Sequence, residues 1–117
     1  MVSLHDAEDS MVSELKVSLD EARVYLLLLN KGKMVKTRIA EELKLEQRNL
    51  EKSLTGLVEK GACIELGGEY EALNPRFAIT NMYRMMCYTN NIEVKRNVVV
   101  DQLATMLEKP YEDARTK

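Results

Sequence analysis

Tryptophan is absent from this 117-residue chain and phenylalanine occurs once. A core must therefore be built from Leu, Val, Ile and Met, and burial against a partner would enlarge so modest an aliphatic core. Histidine also occurs once, at His5 in a polar, acidic N-terminal stretch, so no Ser-His-Asp or Cys-His set can be assembled around it. The two cysteines, Cys63 and Cys87, lack metal-ligand spacing and read as reduced packing residues. The methionines at 82, 85, 86 and 106 read as adaptable packing, not a soft-metal site. Gly67-Gly68 is followed by no Walker lysine and hydroxyl residue, and the adjacent Glu41-Glu42 reads as a solvated helix face. The chain is accordingly read as no enzyme, with no metal and no cofactor. The longest apolar run, residues 24–29, is far short of the roughly 20 residues of a membrane helix. With no signal-peptide layout at the N-terminus, no membrane partner and a cytoplasmic location are expected.

Hydrophobic residues make up 45%, enough for one globular domain, with room for an extension. The formal net charge of −2 argues against blanket attraction to nucleic acid. Its distribution says more. Residues 1–30 carry a net of −4, residues 31–61 a net of +3 from 8 basic and 5 acidic side chains, residues 62–75 a net of −3, and residues 76–117 a net of +2. Positive charge is thus concentrated on one segment.

That segment contains residues 37–61, TRIAEELKLEQRNLEKSLTGLVEKG. Ile39, Ala40 and Leu43 share one face of a helix over about 37–43, with Thr37 as its N-cap. Leu50, Leu54, Leu57 and Val58 form one stripe of a helix over about 46–60, which Gly61 ends. Only Lys44 and Leu45 separate the two patterns, so the second helix crosses the first as a helix-turn-helix.

The flanks complete the pattern. Residues 1–10 are polar and read as frayed or as the start of a short helix; residues 11–17 form a short helix presenting Met11 and Leu15. Ser18 with Glu21 has capping-box spacing, and Ala22, Tyr25, Leu26 and Leu29 follow at helical intervals. Val24, Leu27 and Leu28 cover that helix nearly all round, which marks it as the central scaffold. Asn30 to Lys33 form a turn, and Met34-Val35 a brief extended segment. Residues 62–73, ACIELGGEYEAL, form a β-hairpin. Alternation favours a three-residue loop, Leu66-Gly67-Gly68, with Ile64 opposite Tyr70 and Ala62 opposite Ala72. That register puts Glu65, Glu69 and Glu71 together on the other face. Asn74-Pro75 then starts a helix that continues to about residue 108, where Pro110 stops it. Positions 78, 82, 85, 89, 92, 96, 99, 103 and 106 form a heptad seam of coiled-coil type, broken by Thr89 and Arg96. Asn90-Asn91 leaves open whether this is one helix or two. The predicted fold is mainly α with a small antiparallel hairpin. Residues 1–75 form a winged helix-turn-helix, residues 76–109 a long dimerisation helix, and residues 110–117 a disordered tail.

The residues themselves resemble a known family. LDEARVYLLLL at 19–29 resembles the opening helix of TrmB-type archaeal transcriptional regulators. Residues 37–61 resemble their helix-turn-helix, including the closing LVEKG. EYEALNP at 69–75 resembles their second wing strand and proline-started helix. The resemblance covers about residues 11–80, and related MarR-like families share parts of it. It implies a dimeric DNA-binding regulator of transcription. Two departures limit it: full-length members carry a C-terminal sugar-sensing domain that this chain is too short to hold, and the wing here is acidic.

Inward Leu50, Leu54 and Leu57 leave Gln47, Arg48, Asn49 and Lys52 outward, on the half of the helix that enters a major groove. Arg48 suits guanine, and Gln47 or Asn49 adenine. Lys36, Thr37 and Arg38, with backbone N–H groups, suit phosphate. The heptad seam assigns Met82, Met85, Ile92, Val99, Leu103 and Met106 to a homodimer. The reading favoured is a homodimeric, sequence-specific regulator on double-stranded DNA. The alternative is a winged helix that contacts proteins of the transcription machinery, which the acidic wing favours.

Overall fold

Two antiparallel helices at the C-terminal end fold back onto the scaffold helix, so one core serves the whole molecule. The computed structural model describes residues 4–116. The expected fraying of residues 1–3, and Lys117 of the expected tail, lie outside the described residues. In chain order the elements are α1 (Leu4–Leu15), α2 (Leu19–Lys31), β1 (Met34–Val35), α3 (Lys36–Leu43), α4 (Gln47–Glu59), β2 (Cys63–Leu66), β3 (Glu69–Ala72), α5 (Pro75–Thr89) and α6 (Val98–Arg115).

Helix α1 starts before residue 11 because Ala7, Met11 and Leu15 recur on one face and are all buried. The stretch from His5 to Ser10 is therefore helical and not frayed. Lys16, at φ 56°, turns the chain into α2. The capping box predicted there is present: the Glu21 N–H donates to Ser18 Oγ at 3.0 Å, and the Ser18 N–H donates to Glu21 Oε1 at 2.9 Å. Along α2, Ala22, Val24, Tyr25, Leu26, Leu28 and Leu29 are buried, as expected of a central helix. The Tyr25 hydroxyl donates to the Leu73 carbonyl at 3.0 Å, which ties α2 to the end of β3.

The extended segment at 34–35 is a full strand, and the sheet has three strands in the order β1-β3-β2. Met34 lies opposite Tyr70 and Val35 opposite Glu69. The hairpin register differs from the one alternation favoured. Cys63 pairs with Ala72, Ile64 with Glu71, Glu65 with Tyr70 and Leu66 with Glu69, around a two-residue Gly67-Gly68 loop. Both glycines have positive φ, 60° and 86°, as a tight primed hairpin turn requires. The buried face is Cys63, Tyr70 and Ala72, so the cysteine, not Ile64, supplies the core contact. The three glutamates consequently do not share a face: Glu65 lies with Tyr70, and Glu69 and Glu71 lie with Ile64 and Leu66.

The long C-terminal helix is two helices. α5 ends in a Schellman-type turn, with Asn91 at φ 54° and the Ile92 N–H donating to the Cys87 carbonyl at 2.8 Å. Asn97 then caps α6, its Oδ1 accepting the N–H groups of Val99 and Val100. The two helices run antiparallel, Arg76 Nε donating to Glu108 Oε1 at 3.1 Å. This closure corrects the seam. Ala78, Met82 and Leu103 are buried inside the chain, and Met106 is half-buried against the same core. Met85, Ile92 and Val99 remain exposed. Arg96 pairs with Asp101 at 3.1 Å on the surface. Val100, Leu103 and Leu107 join the core that α1, α2 and the sheet build, so α5 and α6 are no detached arm.

Pro110 lies inside α6, which continues to Arg115 where the sequence suggested a stop and a disordered tail. Arg115 explains the extension. Its guanidinium donates to the Leu29 carbonyl and the Ala72 carbonyl, both at 3.2 Å, and lies 3.6 Å from the centre of the Tyr111 ring. These contacts hold the last turn against α2 and the base of the wing, offsetting the hydrogen bond that proline removes.

Candidate nucleic-acid interface

The two helices of the helix-turn-helix are set by what they bury. On α3, Ile39 is buried and Ala40 and Leu43 are half-buried. On α4, Leu50, Ser53, Leu54 and Leu57 face the core. Val58, expected on the same stripe, is exposed. Lys44, at φ 55°, supplies the left-handed residue between the helices. At the far end of α4 the Gly61 N–H donates to the Val58 carbonyl and the Ala62 N–H to the Leu57 carbonyl, so the chain leaves in a Schellman turn.

Thr37 is not the cap of α3. The helix begins at Lys36 with Val35 in the cap position and no side-chain acceptor, because β1 pairs with β3 up to Val35 and leaves no spacer. α4 likewise starts from Glu46 without a side-chain cap. Each helix therefore presents a first turn whose N–H groups have no side-chain partner.

All seven residues assigned to DNA are exposed: Lys36, Thr37, Arg38, Gln47, Arg48, Asn49 and Lys52. A 3.7 Å ion pair between Lys36 and Glu51 brings the start of α3 beside the second turn of α4, so both groups lie on one surface. Gln47 Nε2 donates to Glu51 at 3.2 Å, and Arg38 sits 3.9 Å from Glu42. Glu51 is thus engaged by Lys36 and Gln47, while Arg48 and Lys52 make no ion pair among the described residues. These exposed pairs contribute little to stability, about 0–1 kcal/mol, and are readily exchanged for a phosphate.

The wing is acidic at its tip, where Glu65 and Glu69 are exposed beside an exposed Leu66. Glu71 is half-buried and lies 3.9 Å from Arg115. Behind the surface, burial pushes the Cys63 thiol up to about 12. Burial, with smaller contributions from Cys63 and Tyr111, also raises the Tyr25 phenol.

One arrangement escaped the sequence reading. Lys60, at the end of α4, donates to both carboxylate oxygens of Glu21, at 2.8 and 2.7 Å. The hint available was Gly56, a helix-weakening residue in mid-helix with no turn to explain it.

Helix-turn-helix, three-stranded sheet and wing now stand in a fixed order. The model of the family described as sugar-specific transcriptional regulator TrmB matches residues 12–87, more than half of the chain. The chain belongs to this family. The match runs from within α1 to within α5 and takes in the whole helix-turn-helix and wing. No curated protein and no solved structure matches the chain. Membership of the TrmB family makes this a transcriptional regulator with a helix-turn-helix DNA-binding domain, in a family that is not enzymatic. Among the described residues no helix is long and apolar enough to cross a membrane.

Proposed function

We propose that the protein binds double-stranded DNA sequence-specifically, as a homodimer, with α4 in the major groove. The observation that carries this reading is the N-terminal half of α4. Arg48, Asn49 and Lys52 project from it, opposite a fully buried Leu50 and Leu54, and Lys36 to Arg38 stand beside it. Arg48 would read a guanine edge, and Gln47 or Asn49 an adenine edge, while Lys36, Thr37, Arg38 and Lys52 hold phosphates.

The homodimer has its support in the apolar residues that α5, α6 and their connection leave outside. Met85, Ile92 and Val99 are joined there by Phe77, Tyr88, Val94 and Val98, all exposed. Exposed apolar residues in this number on two neighbouring helices suit burial against a second copy, which would place half-sites about 34 Å apart. Met82 and Leu103 take no part, since the chain buries them itself.

The acidic wing tip with its exposed Leu66 favours a second reading, a contact with a basic surface of the transcription machinery. Selection of duplexes from a random pool decides between the two. The protein should enrich one sequence, and Arg48→Ala should weaken that duplex by about 1–3 kcal/mol and relax one base position. Lys36→Ala should weaken all duplexes alike and lower the salt slope by about one. Enrichment of nothing by the wild type leaves the protein-contact reading.

A further inference from the structure

Glycine is the poorest helix former after proline, yet Gly56 occupies the interior of α4. No turn needs it there. The space above it is taken by Glu21: a β-carbon at position 56 would overlap the Glu21 carboxylate. That carboxylate arrives from the first turn of α2, where it also accepts the Ser18 N–H. Its side chain is only 9% exposed, and its charge is met by the Lys60 ammonium, itself 28% exposed. The acid stands at the positive end of α2 and the base at the negative end of α4, so each suits its own helix dipole as well as its partner. Glycine at 56 thus leaves the room that the Glu21 carboxylate fills, and from there the carboxylate fastens the C-terminal half of α4 to α2 through Lys60. Glu21 and Lys60 line a groove of about 290 Å³ together with Asn49 and Lys52, so the fastening lies beside two of the candidate DNA-binding residues.

We propose that Glu21, Gly56 and Lys60 form a clamp that sets the pitch of α4, and that Glu21 and Lys60 are positioning residues for base recognition. The inference rests on α4 being the recognition helix. A bidentate base contact tolerates little displacement, whereas lysines on flexible stems follow a phosphate through a small tilt. Loosening the clamp therefore costs sequence discrimination before it costs general affinity.

Two measurements test this separately. The first is a urea-denaturation cycle. Gly56→Ala is expected to lower the midpoint in the wild type, since the methyl displaces the carboxylate from Lys60. In a Glu21→Ala background the same substitution is expected to raise the midpoint, because the space is vacant and alanine is the better helix former. The same sign in both backgrounds overturns the clamp. The second measurement uses the duplex that the wild type enriches from a random pool, with an unselected duplex of equal length as control. Lys60→Gln is expected to lose about tenfold in affinity on the selected duplex and less than about twofold on the control, and Lys60→Arg to recover most of the loss. Equal loss on both duplexes, or loss on neither, overturns the positioning role. If the wild type enriches no duplex, that role falls with the DNA reading, while the urea cycle still decides the clamp.

Discussion

Replacing Leu103 by alanine distinguishes a C-terminal hairpin from a seam waiting for a partner. Leu103 is 3% exposed and belongs to the core shared with α2 and α5. Val99, one helical turn earlier, is 44% exposed. A seam would give the two equal weight. In the hairpin, Leu103→Ala removes buried carbons and leaves a cavity, at a cost of about 2–4 kcal/mol. Val99→Ala opens no cavity within the protomer and improves helix propensity, so at the lower concentration, where the proposed dimer contributes least, it stays within about 0.5 kcal/mol. For a domain of this size the first change lowers the melting temperature by roughly 8–16 °C, and the second hardly moves it. Thermal melts followed by circular dichroism, at two protein concentrations tenfold apart, read both effects. Concentration matters because a dimer adds its own stabilisation by mass action. Equal losses for the two variants, both vanishing at high concentration, would refute the hairpin and restore the seam.

Three further outcomes follow from the geometry. Cys63 stands above its ordinary 9.0, at about 12, so the unfolded chain releases the thiol proton first as pH rises. The contribution of Cys63 to folding stability is full below pH 9 and falls by about 1.4 kcal/mol per pH unit up to about 12, so Cys63→Ala should make the slope shallower in urea titrations at stepped pH. Arg115→Met removes hydrogen bonds to the carbonyls of Leu29 and Ala72, for a loss of about 1.5–3 kcal/mol. Hydrogen exchange should show the turn after Pro110 opening first, and unchanged protection there would refute its role as a strap. Glu65→Gln with Glu69→Gln removes the exposed charges of the wing tip, so DNA binding should hold or improve; a clear loss would give the wing a partner other than DNA.

The helix-turn-helix was legible because each helix carries its own complete signal. Ile39 to Leu43 and Leu50 to Leu57 recur at helical intervals, and Gly61 marks the end. The exposed site residues follow as the complement of those stripes, which needs no knowledge of the rest of the fold. The hairpin register was misread for a chemical reason. Alternation was scored with Ile64 as the core residue, which left Cys63 on the opposite face with the glutamates, although a thiol packs as a small apolar group. The adjacent glycines, suited to positive φ at both turn positions, were the better guide.

The C-terminal half shows a deeper limit. Steps of three and four describe a helix facing a partner and equally a helix facing its own chain, so periodicity did not choose between them. Asn90-Asn91 held the local signal, since asparagine accepts the left-handed conformation that Asn91 adopts. The halt expected at Pro110 was overridden by Arg115, whose contacts lie in α2 and β3 and leave no trace in nearby sequence. The clamp was hidden for the same reason. Glu21 was visible as a capping residue and Lys60 as part of a closing motif, but only the packing of α2 on α4 brings them together.

The most direct test of the central claim is a backbone amide titration by NMR, adding the duplex that the protein enriches from a random pool. Shifts confined to residues 36–38 and 47–52 are expected, with the wing tip at 65–69 little affected. Shifts clustered instead on the wing tip, or on the exposed apolar surface of α5 and α6, with α4 unmoved, would contradict the assignment of α4 as the recognition helix.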